Sequence, residues 1–353
     1  MIRKMLAVLV ALAALGSLAA PAASAASAAA PYTVTDTLGR TLALTRIPER
    51  IVLAGRATLL LVDAVYLFPG AASRVVGVGA TDQGLGDVFP ILDPGAGGKN
   101  RFPNTVGAEQ VAAARPDLVI LKSYMKEKLG DPLESIGIPV LYLDLETPDA
   151  FYADMRTLGA LFQQPDRAAY ILDWYRSRVE AVTRAVAGAA RPSALIVQYS
   201  AKDGGTSFTV PPSGWIQTII TGIAGGEVAW KDAGPGDGWK KIGIEQISAW
   251  NPRYVFVVSY QARAGSVADQ LVKQGLLKGA VTGFPSDYCS WDQADSRWVL
   301  GLEWLAVTMH PDRFPDLDLR GEVLRFYGEL YGLDAAVAQR DVLPRLDLAR
   351  AGK

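Results

Sequence analysis

The chain has 353 residues, with 35 Lys and Arg against 36 Asp and Glu, one histidine and one cysteine. Near-neutral charge excludes the basic footprint of a nucleic-acid binder, and the lone Cys289 excludes an intrachain disulfide. One His and one Cys also cannot build a four-ligand soft metal site.

Arg3 and Lys4 precede an apolar run from Met5 to Leu15, and small residues follow through Ala30. That order is a secretory signal peptide over residues 1–30, with small-x-small cleavage sites at Ala23-Ser24-Ala25, Ala26-Ser27-Ala28 and Ala28-Ala29-Ala30. The run is shorter than the roughly 20 residues a spanning helix needs. No Cys lies near the cleavage region, so the expectation is a diffusing periplasmic protein without a lipid anchor. Past residue 30 the chain keeps 33 Lys and Arg against 36 Asp and Glu, a net charge of −3. About 323 residues then remain, enough for two cores, and a buried, inert thiol at Cys289 is expected in an oxidising compartment.

The first elements are a hairpin, Thr33 to Asp36 and Thr41 to Leu44 around Gly39, and a strand at Arg50 to Leu53. A helix capped by Thr58 runs through Tyr66, and Arg74 to Val78 reads as a strand. Lys99-Asn100-Arg101-Phe102 reads as a basic, aromatic loop. A helix at Ala108 to Ala114, a strand at Leu118 to Leu121, a helix from Lys126 to Ile136 and a strand at Val140 to Leu143 follow. Between Asp149 and Ala187 the apolar residues keep helical spacing, which predicts one long helix bent near Pro165. A second α/β run begins with a strand at Ala194 to Gln198 and a helix from Ser213 to Ile220. It continues with a helix at Ile244 to Ala249, a strand at Tyr254 to Val258 and a helix from Ser266 to Leu277, and the chain closes with helices. The pattern predicts an α/β fold of two Rossmann-like lobes joined by one long α-helix: lobe 31–148, connector 149–188, lobe 189–345. Such a connector limits closure to small amplitude.

One segment occurs in both halves. Glu109-Gln110-Val111 runs to Pro116 and the Leu118 strand, and Glu245-Gln246-Ile247 runs to Pro252 and the Tyr254 strand. An acid in a first helical turn is favourable by itself, but matched spacing in both halves implies related lobes. With Asp36-Thr37-Leu38-Gly39-Arg40, Arg50-Ile51-Val52, Leu158-Gly159, Arg167-Ala168 and Gly225-Gly226 in this order, the chain resembles the substrate-binding proteins of iron-siderophore, haem and corrinoid ABC importers. Those are the class with a single long connecting helix. The resemblance covers Tyr32 to Tyr331, and it implies that Glu109 and Glu245 dock into basic pockets of an inner-membrane permease dimer. Two carboxylates on rigid helix starts set register and steer encounter more than they add affinity. A monomer is expected.

Ligand residues are expected where chain leaves the carboxyl ends of strands. This rule selects Arg56 and Thr58, Thr81-Asp82, Lys122 and Tyr124 in the first lobe, with Arg101 on the rim. In the second lobe it selects Tyr199, Tyr260 and Arg263. These cations and phenols suit an anionic ligand. Trp239 and Trp291 are expected to stack on it, whereas Trp298 and Trp304 keep helical spacing with Val299, Leu302 and Leu305 and belong to the core. His310, beside Pro311 at a helix end, suits terminal carbonyls better than a metal. The cargo order is a ferric chelate first, a corrinoid or haem second, and a molybdate-type oxyanion third, the last held on helix N-termini. No cofactor is called for. An exported hydrolase is the competing class, but the chain has no Gly-x-Ser-x-Gly elbow and no His-Glu-x-x-His, and Gly84-Leu85-Gly86 completes no phosphate loop.

Overall fold

The computed structural model describes residues 31–80, 83–202, 205–236 and 238–348. The signal segment and Thr81-Asp82 lie outside the described residues. Strands β1 (Tyr32–Thr35) and β2 (Thr41–Leu44) form the expected antiparallel hairpin. Its turn is tied by the Asp36 carboxylate, which accepts from the Leu38 and Arg40 amides at 3.0 Å, with Gly39 at φ 74°.

The first lobe is built on β3 (Ile51–Leu53), β4 (Val75–Gly79), β5 (Asn100–Phe102), β6 (Leu118–Lys122) and β7 (Val140–Leu143). These run parallel in the order β5-β4-β3-β6-β7. β3, β6 and β7 are buried along their whole length, as apolar strands covered on both faces must be. Asn100 to Phe102 is thus the edge strand β5 and not a loop: Phe102 is drawn inward against Gly77, while Asn100 and Arg101 stay exposed.

The second sheet contains β8 (Ser193–Lys202), β9 (Gly205–Val210), β10 (Glu227–Val228), β11 (Lys240–Ile242), β12 (Tyr254–Val258) and β13 (Ala280–Gly283). Its path is β11-β9-β8-β12-β13, with β10 also on β8. β10, β8, β12 and β13 are parallel, while β9 folds back on the far half of β8 and carries β11 antiparallel. β9, β10, β11 and β13 were not expected, because none carries an apolar run like that of β8 or β12.

The stretch expected as one bent helix is two helices, Pro148–Leu161 and Pro165–Ala185. Pro165 supplies no amide to the preceding turn and holds Gln164 out of helical conformation, and Gln163 takes φ 54° to redirect the chain. The two helices touch at Gly159, where a Cβ would collide with that of Ala168. The second helix, 21 residues and about 30 Å long, carries Arg167. Its guanidinium donates to the Leu67 carbonyl in the first lobe (2.9 Å) and to the Glu329 (3.3 Å) and Leu330 carbonyls near the carboxyl end of the chain.

One apolar core runs through both lobes. Phe151 and Tyr175 of the connector stack at 4.6 Å, and Tyr175 meets Trp298 at 5.4 Å. Trp298 and Trp304 lie on the almost wholly buried Trp298–Met309 helix, where Trp304 packs between Phe256 and Phe284. Cys289 is fully buried, and burial pushes its thiol up. His310 Nε2 lies 3.3 Å from the Gly225 carbonyl just past the Ile216–Ile223 helix, the helix-end role expected of it. Among the described residues no helix is long and apolar enough to cross a membrane.

Candidate functional site

Loops leaving the carboxyl ends of the strands in the two sheets meet. The Gly84 amide, past β4, donates to the Tyr260 carbonyl, past β12, at 2.8 Å. The carboxyl ends of both sheets therefore face one another, which is where a crevice between the lobes is expected.

On the first-lobe side, β3 ends at Leu53 and the chain passes Gly55 (φ 86°) and Ala57 (φ 54°) into the Thr58–Val65 helix. A left-handed residue running directly into a helix start turns successive N–H groups to one side, a concavity suited to an anion. This helix has no side-chain cap and no acid in its first turn, so its positive end is uncompensated. Arg56, between the two left-handed residues, is exposed and has no ion pair or side-chain hydrogen bond among the described residues.

On the second-lobe side, Arg263 stands exposed at the start of the Ala264–Lys273 helix, likewise without an ion pair among the described residues. Beside it is an aromatic wall: Trp215 meets Trp239 edge-to-face at 6.1 Å, and Trp239 meets Tyr260 at 6.4 Å, all three half-buried. The Tyr260 hydroxyl is committed inward, donating to Asp292 Oδ2 at 2.8 Å. Asp292 is fully buried and faces neutral donors, with Ser290 Oγ at 2.6 Å on Oδ1 and Gln217 Nε2 at 3.2 Å on Oδ2. Burial raises its pKa against these bonds, and burial with the Asp292 charge pushes the Tyr260 phenol well up. Tyr260 therefore holds a neutral phenol whose hydroxyl is engaged by Asp292.

Several expected site residues stand elsewhere. Thr58 is 1 % exposed and donates to the Gly55 carbonyl at 2.8 Å, so it neither caps the helix nor reaches the crevice; Ala57 holds the cap position. Lys122 is 0 % exposed. Its ammonium is spent on Glu146 (2.6 Å) and the Asp144 carbonyl, a burial that only such pairing permits. Trp291 is also 0 % exposed, its amide bonded to the Pro285 carbonyl, because Arg297 pulls the Asp287 to Arg297 segment inward. That makes it a core residue and not a stacking platform. Tyr199 lies within β8, paired with β9, and its ring packs on Phe208 at 5.5 Å. Arg101 is exposed but engaged by Asp87 (3.1 Å) above the Phe89 ring. Tyr124 is 53 % exposed, its ring 6.0 Å from the Lys122 ammonium.

Trp215, Gln217 and Asp292 were not selected from sequence. Trp215 follows Pro211-Pro212 at a helix start, a position that could have flagged it. Asp292 sits in Ser290-Trp291-Asp292-Gln293, where an acid reads as a turn residue. Among the described residues no group of three or more His, Cys, Asp or Glu side chains is placed so that it could hold a metal ion.

The repeated segment has the same backbone in both lobes. Gly107 (φ −92°, ψ 165°) and Gly243 (φ −88°, ψ 164°) precede the Ala108–Ala112 and Ile244–Trp250 helices. Val111 and Ile247 are buried, and left-handed Arg115 and Asn251 end the segments before Pro116 and Pro252. In the first lobe Gln110 does the capping, accepting from the Gly107 amide at 3.1 Å. Glu109 and Glu245 are left exposed, with no ion pair among the described residues.

Two α/β lobes whose sheets meet at their strand ends, joined by a pair of helices, have the architecture of a bilobal binding protein. The family model for periplasmic binding proteins matches residues 57–280, and the chain belongs to that family. It is 25 % identical over 253 residues to the molybdate-binding protein MolA of Haemophilus influenzae, covering 65 % of this chain and 70 % of that one. To the vitamin B12-binding protein of Salmonella typhimurium it is 25 % identical over 261 residues, covering 70 % and 93 %. Among solved structures, a periplasmic solute binding protein of Veillonella parvula superposes with a TM-score of 0.69 at 22 % identity, covering 88 % of this chain and 97 % of that one. Molybdate-bound MolA superposes at 0.68 and 20 % identity, covering 85 % and 98 %. These structures share the fold.

Proposed function

We propose that the chain is the exported solute-binding component of an ABC importer, and that it captures an anionic ferric siderophore-type chelate between the lobes. The observation that carries this reading is Arg56 and Arg263, one per lobe, exposed and without an ion pair among the described residues, together with the Trp215, Trp239 and Tyr260 cluster of the second lobe. A cation from each lobe makes ligand binding and lobe closure the same event, and a rigid aromatic wall suits a planar or aromatic chelator. Tyr124 and Arg101 form the rim. Glu109 and Glu245, equivalently placed and uncommitted, then set the register of the loaded protein on a permease dimer. The reaction is reversible capture, with no covalent step.

A second reading, a tetrahedral oxyanion such as molybdate, is favoured by the left-handed Ala57 leading into an uncapped helix start. It draws on backbone amides and Arg56 and leaves the aromatic wall without a role. Titration of the mature protein, followed by Trp fluorescence, with ferric chelates, corrinoids and molybdate separates the two. Chelate binding weakened at least about tenfold by Arg56→Ala and by Arg263→Ala is expected, as the loss of one charge-assisted contact. Binding of molybdate with no response to chelates overturns the first reading.

A further inference from the structure

Among the described residues, two groups of contacts bridge the lobes near their strand ends, one around Asp63, where the Tyr331 hydroxyl also donates to the Asp63 carbonyl (2.9 Å), and one around Gln83, and they differ in kind. The first is ionic and dry. Arg297 is fully buried and donates from Nη1 to Asp63 of the first lobe (2.7 Å) and to Asp295 (2.8 Å), with Asp287 beside Nε at 2.9 Å. Separating it breaks a charge pair whose attraction, in a buried low-dielectric setting, exceeds that of a neutral hydrogen bond. The second contact is neutral and borne on loops. Gln83 Nε2 donates to Gln293 Oε1 at 2.7 Å, Gln293 Nε2 donates back to Gln83 Oε1 at 3.1 Å, and the Gly84 amide donates to the Tyr260 carbonyl. Water replaces such amide bonds at little net cost.

The glycines at Gly84-Leu85-Gly86, which fit no phosphate loop, are explained here. A Cβ at Gly84 would collide with the Gln261 carbonyl oxygen, and Gly86 takes φ 116° with a Cβ position 3.1 Å from the Tyr288 ring. Only glycine lets the first-lobe loop lie this close on the second lobe. The far side of the contact is the aromatic wall itself: Tyr260 carries the accepting carbonyl, and Gln293 follows the Asp292 that holds the Tyr260 hydroxyl.

We propose that Gln83, Gly84 and Gln293 form a releasable clasp that gates the crevice, opening while the Asp63–Arg297 contact stays shut and acts as the pivot. Release frees Tyr260 from the opposite lobe, so ligand entry and loosening of the wall are one motion. Its consequence for ligand rests on the crevice being the binding site; the clasp itself is tested without ligand.

The experiment uses the full mature chain. Hydrogen exchange of the segment containing the Gly84 amide, and the distance distribution between spin labels on the two lobes, are measured for wild type, Gln83→Ala and Gly84→Val. Gln83→Ala is expected to speed exchange at Gly84 about tenfold, the loss of two neutral bonds, and to broaden the distance distribution with circular dichroism unchanged. Gly84→Val is expected to shift the distribution to longer distances. With molybdate or a ferric chelate as probe, whichever binds, association and dissociation are expected to speed together in Gln83→Ala. Unchanged exchange and distances in Gln83→Ala overturn the clasp, as does an Asp63→Asn protein that opens while Gly84 stays protected. If no probe binds, the ligand reading fails while the ligand-free measurements still decide the clasp.

Discussion

Asp63 and Arg297 belong to different lobes, yet their fully buried side chains meet at 2.7 Å. Asp287 and Asp295 crowd the same guanidinium, and Asp63 Oδ1 and Asp295 Oδ2 have no hydrogen-bond partner among the described residues. Burial raises the Asp63 pKa most, Arg297 lowers it, and the Asp295 charge raises it again; the net shift is well upward.

Arg297→Met removes the only guanidinium among three buried carboxylates. A loss of about 3–5 kcal/mol in urea unfolding is expected, the usual cost of breaking a buried pair from one side. Asp63→Asn, which removes an excess negative charge and keeps the shape, is expected to cost much less. Equal losses for the two variants contradict this account of the cluster.

Glu303 makes the pH dependence testable at a separate place. Burial first, then the Glu322 charge, pushes its pKa to about 8, while Arg178, 3.9 Å away, pulls the other way. The folded protein therefore holds a proton that the unfolded chain releases near the ordinary glutamate value. This group's contribution is complete below that value and is lost as pH rises towards 8. Asp154, raised by burial to about 7 while accepting the Asp144 and Leu145 amides, acts in the same direction. Denaturant unfolding at pH 5 and pH 8.5 is expected to show a smaller decline for Glu303→Gln than for wild type; identical slopes rule it out.

Trp239 and Trp291 are distinguishable by quenching. Acrylamide is expected to reach the half-buried Trp239, so Trp239→Phe removes quenchable emission and Trp291→Phe removes none. Ligand that protects emission in wild type is expected to protect nothing in Trp239→Phe. Strong protection remaining in that variant moves the ligand off the aromatic wall.

Glu109→Ala and Glu245→Ala are expected to leave ligand affinity unchanged and, combined, to abolish stimulation of ATP hydrolysis by a reconstituted importer. Both groups are exposed and uncommitted, so stability should hold within about 0.5 kcal/mol. Full stimulation by the double variant removes the docking role.

The sheets were legible because β3, β6 and β12 are apolar runs of strand length, each set off by turn residues. The repeat was legible because Glu-Gln and Pro recur at fixed spacing. Lys122 and Trp291 were misplaced for one physical reason: sequence shows that a residue follows a strand but not the buried partner that turns it inward, Glu146 in one case and the Arg297 cluster in the other. Arg56 has no such partner among the described residues and stays exposed after β3, as its position implies. The broken connector was half legible, since Pro165 marks the place, but the left-handed Gln163 and the close approach of Gly159 to Ala168 that make it two helices have no sequence signal.

Arg167 sits just past that break and grips the backbone of both lobes through carbonyl oxygens, which every residue supplies. Neighbouring positions can therefore change without loosening it, whereas its own replacement releases three contacts together. The tie between the lobes at this point thus depends on one side chain and on backbone geometry, and not on the identity of the residues it grips.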